Sequence, residues 1–441
     1  MGSNNPMRNK RIFQFAIWLW LAALPLQALG QAVLKRDMPV RRRNVPWTET
    51  YERTAPAREG GKLILRADMG SVDITPGSGN QIECRVVLRT YTGSKEMARR
   101  VFDAYRLSVH SIEGGGVYVN GELPGSRQPD HHTEAEFDIK LPARFNLDVE
   151  TQDGDIGVEG ALQGEARLTT AGGDIHTADV SGPIRVETAV GGITLANLGA
   201  RAEARTAGGS IHVGNVRGDA TFETIGGAIQ VGQVGGTLRA EAAGGDVVIA
   251  GATGQVVAQT AGGQIQVGPT GGSVRAETNG GSIRLRGARG RVVAETAGGS
   301  IDLLQIGAGV RASTSAGRIL AEFDATAKTF AASQLEASMG DVYVYLPEGL
   351  PLTIDAAIDA AAGHHIVTDF PLNILGDKQD FTERTIRGHG ALNGGGEVLR
   401  IRTVGGNIEI RKLDSRGMED LKSNVRSTIQ SWQILPRDLR R

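Results

Sequence analysis

Two sets of charged residues recur along this sequence at multiples of 18 residues, glutamates in one set and arginines in the other. The glutamate positions lie two residues after the arginine positions, so both sets point to the same face of an extended chain. If equivalent positions stack, the two sets form a flat charged surface that could recognise a repeating polymer such as a cell-wall or surface polysaccharide. A solvated mixed-charge surface without a ligand is the alternative interpretation. The candidate polymer-binding residues are Arg167, Arg185, Glu223, Arg239, Glu241, Arg275, Glu277, Glu295 and Arg311.

Glycine pairs followed by an acid, at Asp174 and Asp246, are typical of calcium-binding repeats, and Asp155 occupies the matching position after a single glycine. Only three of the ten matching positions are acidic, which is too few for a continuous set of oxygen ligands. Glycine pairs can also bind phosphate, but such loops precede a helix, whereas each pair here precedes a strand-like segment. We therefore expect neither a calcium array nor a phosphate-binding loop.

Two histidine doublets, His131 with His132 and His364 with His365, contain residue types that ligate metals. Adjacent residues on a strand point to opposite faces, so neither doublet is expected to supply two ligands to one ion. The sequence predicts no metal site, no cofactor and no catalytic group of residues.

The charged sets are embedded in an internal repeat that is marked by a glycine and a threonine. After one step of nineteen residues, every step between equivalent glycines is eighteen. A threonine stands three residues before the glycine in each repeat except one, where Ala242 replaces it. The glycines are Gly154, Gly173, Gly191, Gly209, Gly227, Gly245, Gly263, Gly281, Gly299 and Gly317. The threonines are Thr151, Thr170, Thr188, Thr206, Thr224, Thr260, Thr278, Thr296 and Thr314.

Within each repeat the apolar residues alternate with polar ones, which indicates short half-buried strands. In the segment VRAET at 274–278, Val274, Ala276 and Thr278 share one face. The threonines thus have the parity of inward residues, so we expect their hydroxyls to bond the corner backbone rather than form an ice-binding face. We expect glycines at the corners because a positive φ and close stacking of neighbouring coils both disfavour a Cβ.

One repeat cannot fold alone, because a few buried aliphatic side chains do not offset the entropy of ordering 18 residues. Stacked repeats share hydrogen bonds and one continuous core. The sequence therefore predicts an all-β protein: a single elongated β-solenoid, or β-helix, of 18-residue two-strand coils with glycine corners. A short helix is expected in the N-terminal cap, starting at Ser94 and burying Met97, Val101, Phe102 and Tyr105, and a second helix in the C-terminal tail.

The first residues are typical of an export signal: Arg8, Lys10 and Arg11 precede an apolar run and small residues. A cleaved signal peptide is the preferred interpretation, and an uncleaved membrane anchor is the alternative. Cleavage would remove three positive charges and change the net charge from -1 to -4, which disfavours nucleic acid as a partner. The predicted segments are a signal peptide (1–32), a flexible N-terminal segment (33–60), an N-terminal cap and first coils with one helix (61–145), regular 18-residue repeats (146–322), C-terminal coils and cap (323–412) and an amphipathic helical tail (413–441).

The repeated threonine-x-glycine-glycine corners, the segment HHIVTDFPL and the closing ALNGGGEVLRIRTVGGNIEI resemble an adhesin-like bacterial β-strand-repeat family of unknown function. The resemblance covers about residues 60–412. It implies an extracytoplasmic β-solenoid, and it implies no catalytic residues.

We therefore expect a non-enzymatic structural or interaction protein of the bacterial cell envelope, located in the periplasm, at the cell surface or in the medium. Its expected partner is a protein or a surface polysaccharide, with no membrane span after signal cleavage and with self-association of rods end to end or side by side as a further possibility. A polysaccharide-binding or polysaccharide-degrading β-helix protein is the alternative. The uniform coils argue against a degrading enzyme, because such enzymes usually carry loop excursions that form a cleft.

Overall fold

Alternating apolar residues form short strands throughout the part of the chain that the computed structural model describes, which is residues 45–124, 133–361, 363–376 and 385–424. The predicted signal peptide lies outside these residues, as do His131 and His132. Val45–Arg441 forms one compact unit. No helix among the described residues is long and apolar enough to cross a membrane.

The strands fall into three groups along the chain. The first strands are β1 (Trp47–Pro56), β2 (Lys62–Ala67), β3 (Ser71–Gly77), β4 (Gln81–Thr90), β5 (Arg106–Ile112), β6 (Gly116–Glu122) and β7 (Thr133–Pro142). The regular coils contain β8 (Asn146–Thr151), β9 (Ile156–Val158), β10 (Ala166–Thr170), β11 (Ile175–Thr177), β12 (Ile184–Thr188), β13 (Ile193–Leu195), β14 (Ala202–Thr206), β15 (Ile211–Val213), β16 (Ala220–Thr224), β17 (Ile229–Val234), β18 (Leu238–Ala242), β19 (Val247–Ala252), β20 (Val256–Thr260), β21 (Ile265–Val267), β22 (Val274–Thr278), β23 (Ile283–Arg286), β24 (Val292–Thr296), β25 (Ile301–Ile306), β26 (Val310–Ala316), β27 (Ile319–Phe323), β28 (Ser333–Met339) and β29 (Val342–Leu346). The last strands are β30 (Leu352–Ile358), β31 (Ile366–Thr368), β32 (Asn373–Leu375), β33 (Ile386–Leu392), β34 (Val398–Gly405) and β35 (Ile408–Lys412). The helices are α1 (Lys95–Ala104) and α2 (Ser415–Asn424).

The regular strands stack into two parallel sheets, which confirms the predicted β-solenoid. Sheet A joins the odd-numbered strands β9 to β29, and sheet B joins the even-numbered strands β8 to β28. Equivalent residues pair in register from coil to coil: Val256, Val274 and Val292 form one file, and so do Ile265 and Ile283. These side chains are buried between the sheets, so one apolar core runs along the whole stack.

Each regular coil has a third, very short side that the sequence analysis missed. Isolated parallel bridges connect Leu162 to Val180 and Leu198 to Val216, and the series continues through Thr270 to Ala288. The side chains of these bridge residues are buried. The segment after each short strand therefore adds to the core and is not a simple second corner. One inward residue per coil gives no alternating pattern, which is why periodicity did not reveal it.

The expected reason for the corner glycines is only half right. Of the ten glycines in the file, all of them described, one has φ in the left-handed region: Gly154, at 125°. The others are required by stacking, because a Cβ on Gly191 would lie 2.0 Å from the carbonyl oxygen of Gly173 in the coil before. Close backbone approach, and not positive φ, is therefore the general cause of this glycine file.

The chain inserts one coil out of sequence order at each end of the stack. The coil of β2 and β3 lies between those of β6–β7 and β8–β9. The closing coil of β34 and β35 lies between those of β28–β29 and β30–β31. Antiparallel strands then flank the parallel stack: β4 and β1 beside β7, β5 beside β6, and β33 and β32 beside β30. They cover strand edges that would otherwise offer free backbone groups.

The described part of the N-terminal segment, residues 45–60, differs from the flexible segment that we expected for 33–60. Residues Trp47–Pro56 form β1, which pairs with β4 over ten positions. Only Ala55 of this strand is buried, so the strand is held mainly by backbone hydrogen bonds at the margin of sheet A. An exposed marginal strand has no apolar alternation, and the sequence pattern therefore did not reveal it.

Both helices pack on the solenoid. The Ser94 hydroxyl accepts a hydrogen bond from the backbone N–H of Met97 (3.2 Å), which confirms the predicted cap of α1. Phe102 is buried as expected, but Met97 is exposed, and Ala98 is buried in its place.

The second helix, α2, packs through Leu421 against Leu304, Leu320 and Tyr345 of sheet A. The Asn424 side chain donates a hydrogen bond to the Tyr345 hydroxyl (2.8 Å). The predicted amphipathic tail therefore packs on the solenoid up to this residue, and residues 425–441 lie outside the described residues.

The single cysteine, Cys84, is a buried residue of β4, as its alternation with apolar neighbours predicts. Burial raises the pKa of its thiol to about 12, and the negative charge of Asp138 adds to this increase. The thiol stays protonated at neutral pH and is a poor nucleophile.

Candidate polymer-binding groove

The predicted polymer-binding residues all lie on the outward face of sheet B, in two neighbouring files. Glu223 pairs in register with Glu241, Glu277 with Glu295, and Arg167 with Arg185. We call the two files the glutamate file and the arginine file. The glutamate file contains Glu187, Arg205, Glu223, Glu241, Gln259, Glu277, Glu295 and Ser313. The arginine file contains Arg167, Arg185, Glu203, Thr221, Arg239, Val257, Arg275, Val293 and Arg311.

Ion pairs connect the two files and reduce the repulsion between stacked glutamates. Arg185, Arg239 and Arg275 pair with the glutamate two residues later on the same strand, and Arg311 pairs with a glutamate of the coil before. Arg205 lies in the glutamate file itself and pairs with Glu223 of the next coil. The pairs are Arg185–Glu187 (2.5 Å), Arg205–Glu223 (3.3 Å), Arg239–Glu241, Arg275–Glu277 and Arg311–Glu295 (3.7 Å). These side chains are partly exposed, so each pair contributes at most about 1 kcal/mol to folding. The charges are thus available for an external ligand.

A long open groove of about 1160 Å³ follows the glutamate file over eight coils, from Glu187 to Ser313. One side is formed by the glutamate file, and the other by the corner residues that follow each threonine. Small residues such as Ala207, Ala243 and Ala261 leave this corner shallow, and Ile225, which is 65% exposed, adds an apolar surface. Five glutamates and two arginines line the groove, so its lining has a net charge of -3.

The threonine file stabilises the corner beside the groove. The Thr188 hydroxyl donates to the carbonyl oxygen of Gly173 in the coil before (2.8 Å) and accepts from the N–H of Gly191 (3.3 Å). This arrangement confirms the expected role of the threonines, and it uses their hydroxyls within the fold. The same two bonds recur at Thr170, Thr206, Thr224, Thr260, Thr278 and Thr296.

The acids that follow the repeat glycines also have a structural role. Asp155 accepts a hydrogen bond from the backbone N–H of Asp174 (2.7 Å), and Asp174 accepts one from the N–H of Gly192 (2.7 Å). Asp246 accepts from the N–H of Gln264 in the same way (2.8 Å). Each carboxylate thus satisfies a corner amide of the next coil, which explains an acid here without calcium.

The sequence analysis missed a group of three metal-ligand residue types on sheet A. Asp73, Glu159 and His176 are the one such group among the described residues, with ligand atoms within 4.8 Å of one another. They stand far apart in the sequence and in coils whose order at the N-terminal end is not sequential, so no spacing rule could have found them. Neither His364 nor His365 belongs to the group.

The fold and groove define a parallel β-solenoid with a lateral, acid-lined groove. No protein-family model and no curated protein matches this chain. Among solved structures it is similar to a protein of Bacteroides fragilis described as a putative adhesin, at 13% identity and a TM-score of 0.26, covering 55% of this chain and 96% of the other. A protein of Clostridium sporogenes described as a putative cell adhesion protein aligns at 9% identity and a TM-score of 0.15, covering 82% of this chain and 100% of the other. A protein of Parabacteroides distasonis described as a putative lipid binding protein aligns at 12% identity and a TM-score of 0.23, covering 67% of this chain and 94% of the other. At these TM-scores the likenesses carry no argument about what this chain binds.

Proposed function

We propose that the protein is an exported, non-enzymatic, adhesin-like interaction protein of the bacterial cell envelope that binds an extended polysaccharide along the groove. The observation that supports this proposal most is the continuity of the groove over eight coils, five of which place a glutamate at the equivalent position. A linear polymer can make the same weak contact at each of these glutamates, and many weak contacts on one chain give a high overall affinity.

The charge of the groove restricts the polymer class. The lining has a net charge of -3, but Arg185, Arg239 and Arg311 pair with three of its glutamates, so the groove has no positive excess to attract polyanions such as nucleic acid or acidic glycans. Carboxylates such as Glu241 accept hydrogen bonds from sugar hydroxyls and pair with amino groups. The exposed side chain of Ile225 offers an apolar contact to a sugar ring. A neutral or amino-substituted polysaccharide is therefore the ligand that we propose.

Replacing four groove carboxylates by amides tests this function. In Glu223→Gln, Glu241→Gln, Glu277→Gln and Glu295→Gln combined, we expect the affinity for neutral and amino glycans on an array to fall at least tenfold, or about 1.4 kcal/mol. The amides keep the size of the side chains, and the four partly exposed ion pairs that they remove each contribute at most about 1 kcal/mol, so the fold should be kept. The binding constant of the best glycan would then be measured for both proteins by calorimetry.

The matched control carries four glutamate-to-glutamine changes at exposed positions before the regular coils, Glu52, Glu83, Glu96 and Glu113. It should bind as the unchanged protein does. Equal binding by the groove variant would overturn the proposed site. Release of new reducing ends from a bound glycan would instead support the polysaccharide-degrading alternative, in which two groove carboxylates act as acid and base.

Self-association of the rods remains a prediction. The antiparallel strands β1, β5 and β32 lie beyond the parallel coils and cover their edges, which favours side-by-side over end-to-end contact.

A further inference from the structure

Three residues of sheet A meet near its N-terminal end. Asp73 of β3 and His176 of β11 are both in register with Gly157 of β9, which lies between them. Glu159 follows β9, and its backbone N–H donates to the carbonyl oxygen of Ile74 (2.8 Å), which fixes it beside β3. Asp73 is half-buried, whereas Glu159 and His176 are exposed. Three potential ligands from three different coils thus converge on one outward patch.

The glycine between them makes room for an ion. A Cβ on Gly157 would lie 2.6 Å from His176 Nε2 and 2.7 Å from Asp73 Oδ1. Both ligand atoms are therefore directed at the space above the glycine. Gly157 is itself buried, because the neighbouring side chains cover it. Any larger residue in this position would occupy the space on which the ligand atoms converge.

The three side chains do not satisfy one another. Within the described residues, none of the three forms a hydrogen bond or a close ion pair, although their ligand atoms lie within 4.8 Å. Burial raises the pKa of Asp73, the negative charges of Glu159, Glu136 and Asp138 add to this increase, and His176 opposes it. The patch therefore has excess negative charge around a gap between potential ligands.

We propose that Asp73, Glu159 and His176 bind a divalent transition-metal ion above Gly157. An imidazole nitrogen with two carboxylates is a ligand set for zinc or a similar ion, because calcium and magnesium prefer oxygen ligands alone. Three protein ligands leave at least one coordination position open to solvent. The site lies on sheet A and the groove on sheet B, so this inference does not depend on the proposed function.

Zinc titration of the full chain by isothermal calorimetry tests the site. We expect one ion per chain with a micromolar dissociation constant, and a zinc-dependent rise in the thermal unfolding temperature because the ion binds only the folded site. His176→Ala should weaken binding at least about tenfold. The matched control is His212→Ala, because His212 lies in the same outward file but pairs with Thr194 and Gln230 rather than with acids.

The most specific variant is Gly157→Ala, which keeps all three ligands. Its methyl group would enter the gap and push the flexible ends of Asp73 and His176 apart, so binding should fall at least tenfold with an unchanged circular dichroism spectrum. The proposal is overturned if zinc binding is undetectable in the unchanged chain, or if Gly157→Ala and His176→Ala bind zinc as well as it does. An equal loss in His212→Ala would also contradict it.

Discussion

Gly245→Ala is expected to lower the free energy of unfolding by about 3 kcal/mol or more, the upper range for overpacking. A Cβ at this position would lie 2.2 Å from the carbonyl oxygen of Gly227 in the coil before. The neighbouring atoms belong to the backbone, so no side chain can move aside. Relief would require the coils to separate, which would break the parallel hydrogen bonds on both sides. Urea unfolding followed by circular dichroism measures the loss.

The matched control for this prediction is the glycine one residue earlier, in Gly244→Ala. A Cβ there would meet its nearest atom, the carbonyl oxygen of Gly226, at an ordinary contact distance of 3.5 Å. Since its φ is outside the left-handed region, the alanine should change stability by less than about 1 kcal/mol. Equal losses in the two variants would show that glycine is needed for backbone freedom and not for stacking.

Phe222→Ala is expected to destabilise the protein by about 3–5 kcal/mol, the range for removing a buried phenylalanine. Phe222 of β16 is fully buried, and it lies in register between Ala204 and Ala240 of the adjacent coils. The small neighbours make room for its ring, so its removal leaves a cavity that alanines cannot fill. Thermal and urea unfolding of the variant give the loss.

Phe222→Leu is the control for the cavity. Leucine fills part of the volume and stays apolar, so its cost should be clearly smaller than that of alanine. A loss below about 1 kcal/mol for Phe222→Ala would contradict a tightly packed core at this coil.

The regular part of the fold could be predicted because each local choice repeats. The parity of Val274, Ala276 and Thr278 gave the inward face, and their structural equivalents in other coils are buried in the same way. The threonine hydroxyls were assigned to the corner backbone from parity alone, as at Thr188. Repetition therefore turned a weak local pattern into a firm prediction of stacking.

Features that depend on the third dimension were not predictable. The coil of β34 and β35 enters the stack before β30 and β31, and nothing in its sequence marks that order. The strand β1 is exposed and has no apolar alternation.

The candidate site could likewise be predicted only in part. The glutamate and arginine files could be predicted from the repeat, because residues 18 positions apart occupy equivalent places in successive coils. The groove beside them depends on the shape of the corner that small residues such as Ala243 form. The spacing of residues in the sequence does not reveal that shape. Asp73, Glu159 and His176 meet only because an out-of-order coil brings β3 next to β9.

A distance between two spin labels tests the stacked coil most directly. Ala189 and Ala297 are exposed and occupy the same corner position six coils apart. With nitroxides on Ala189→Cys and Ala297→Cys, the buried Cys84 staying unlabelled, double electron–electron resonance should give one narrow distance. Six rises of about 4.8 Å place the two backbone positions about 29 Å apart. A broad distribution, or a distance far from this value, would contradict the coil on which every other conclusion depends.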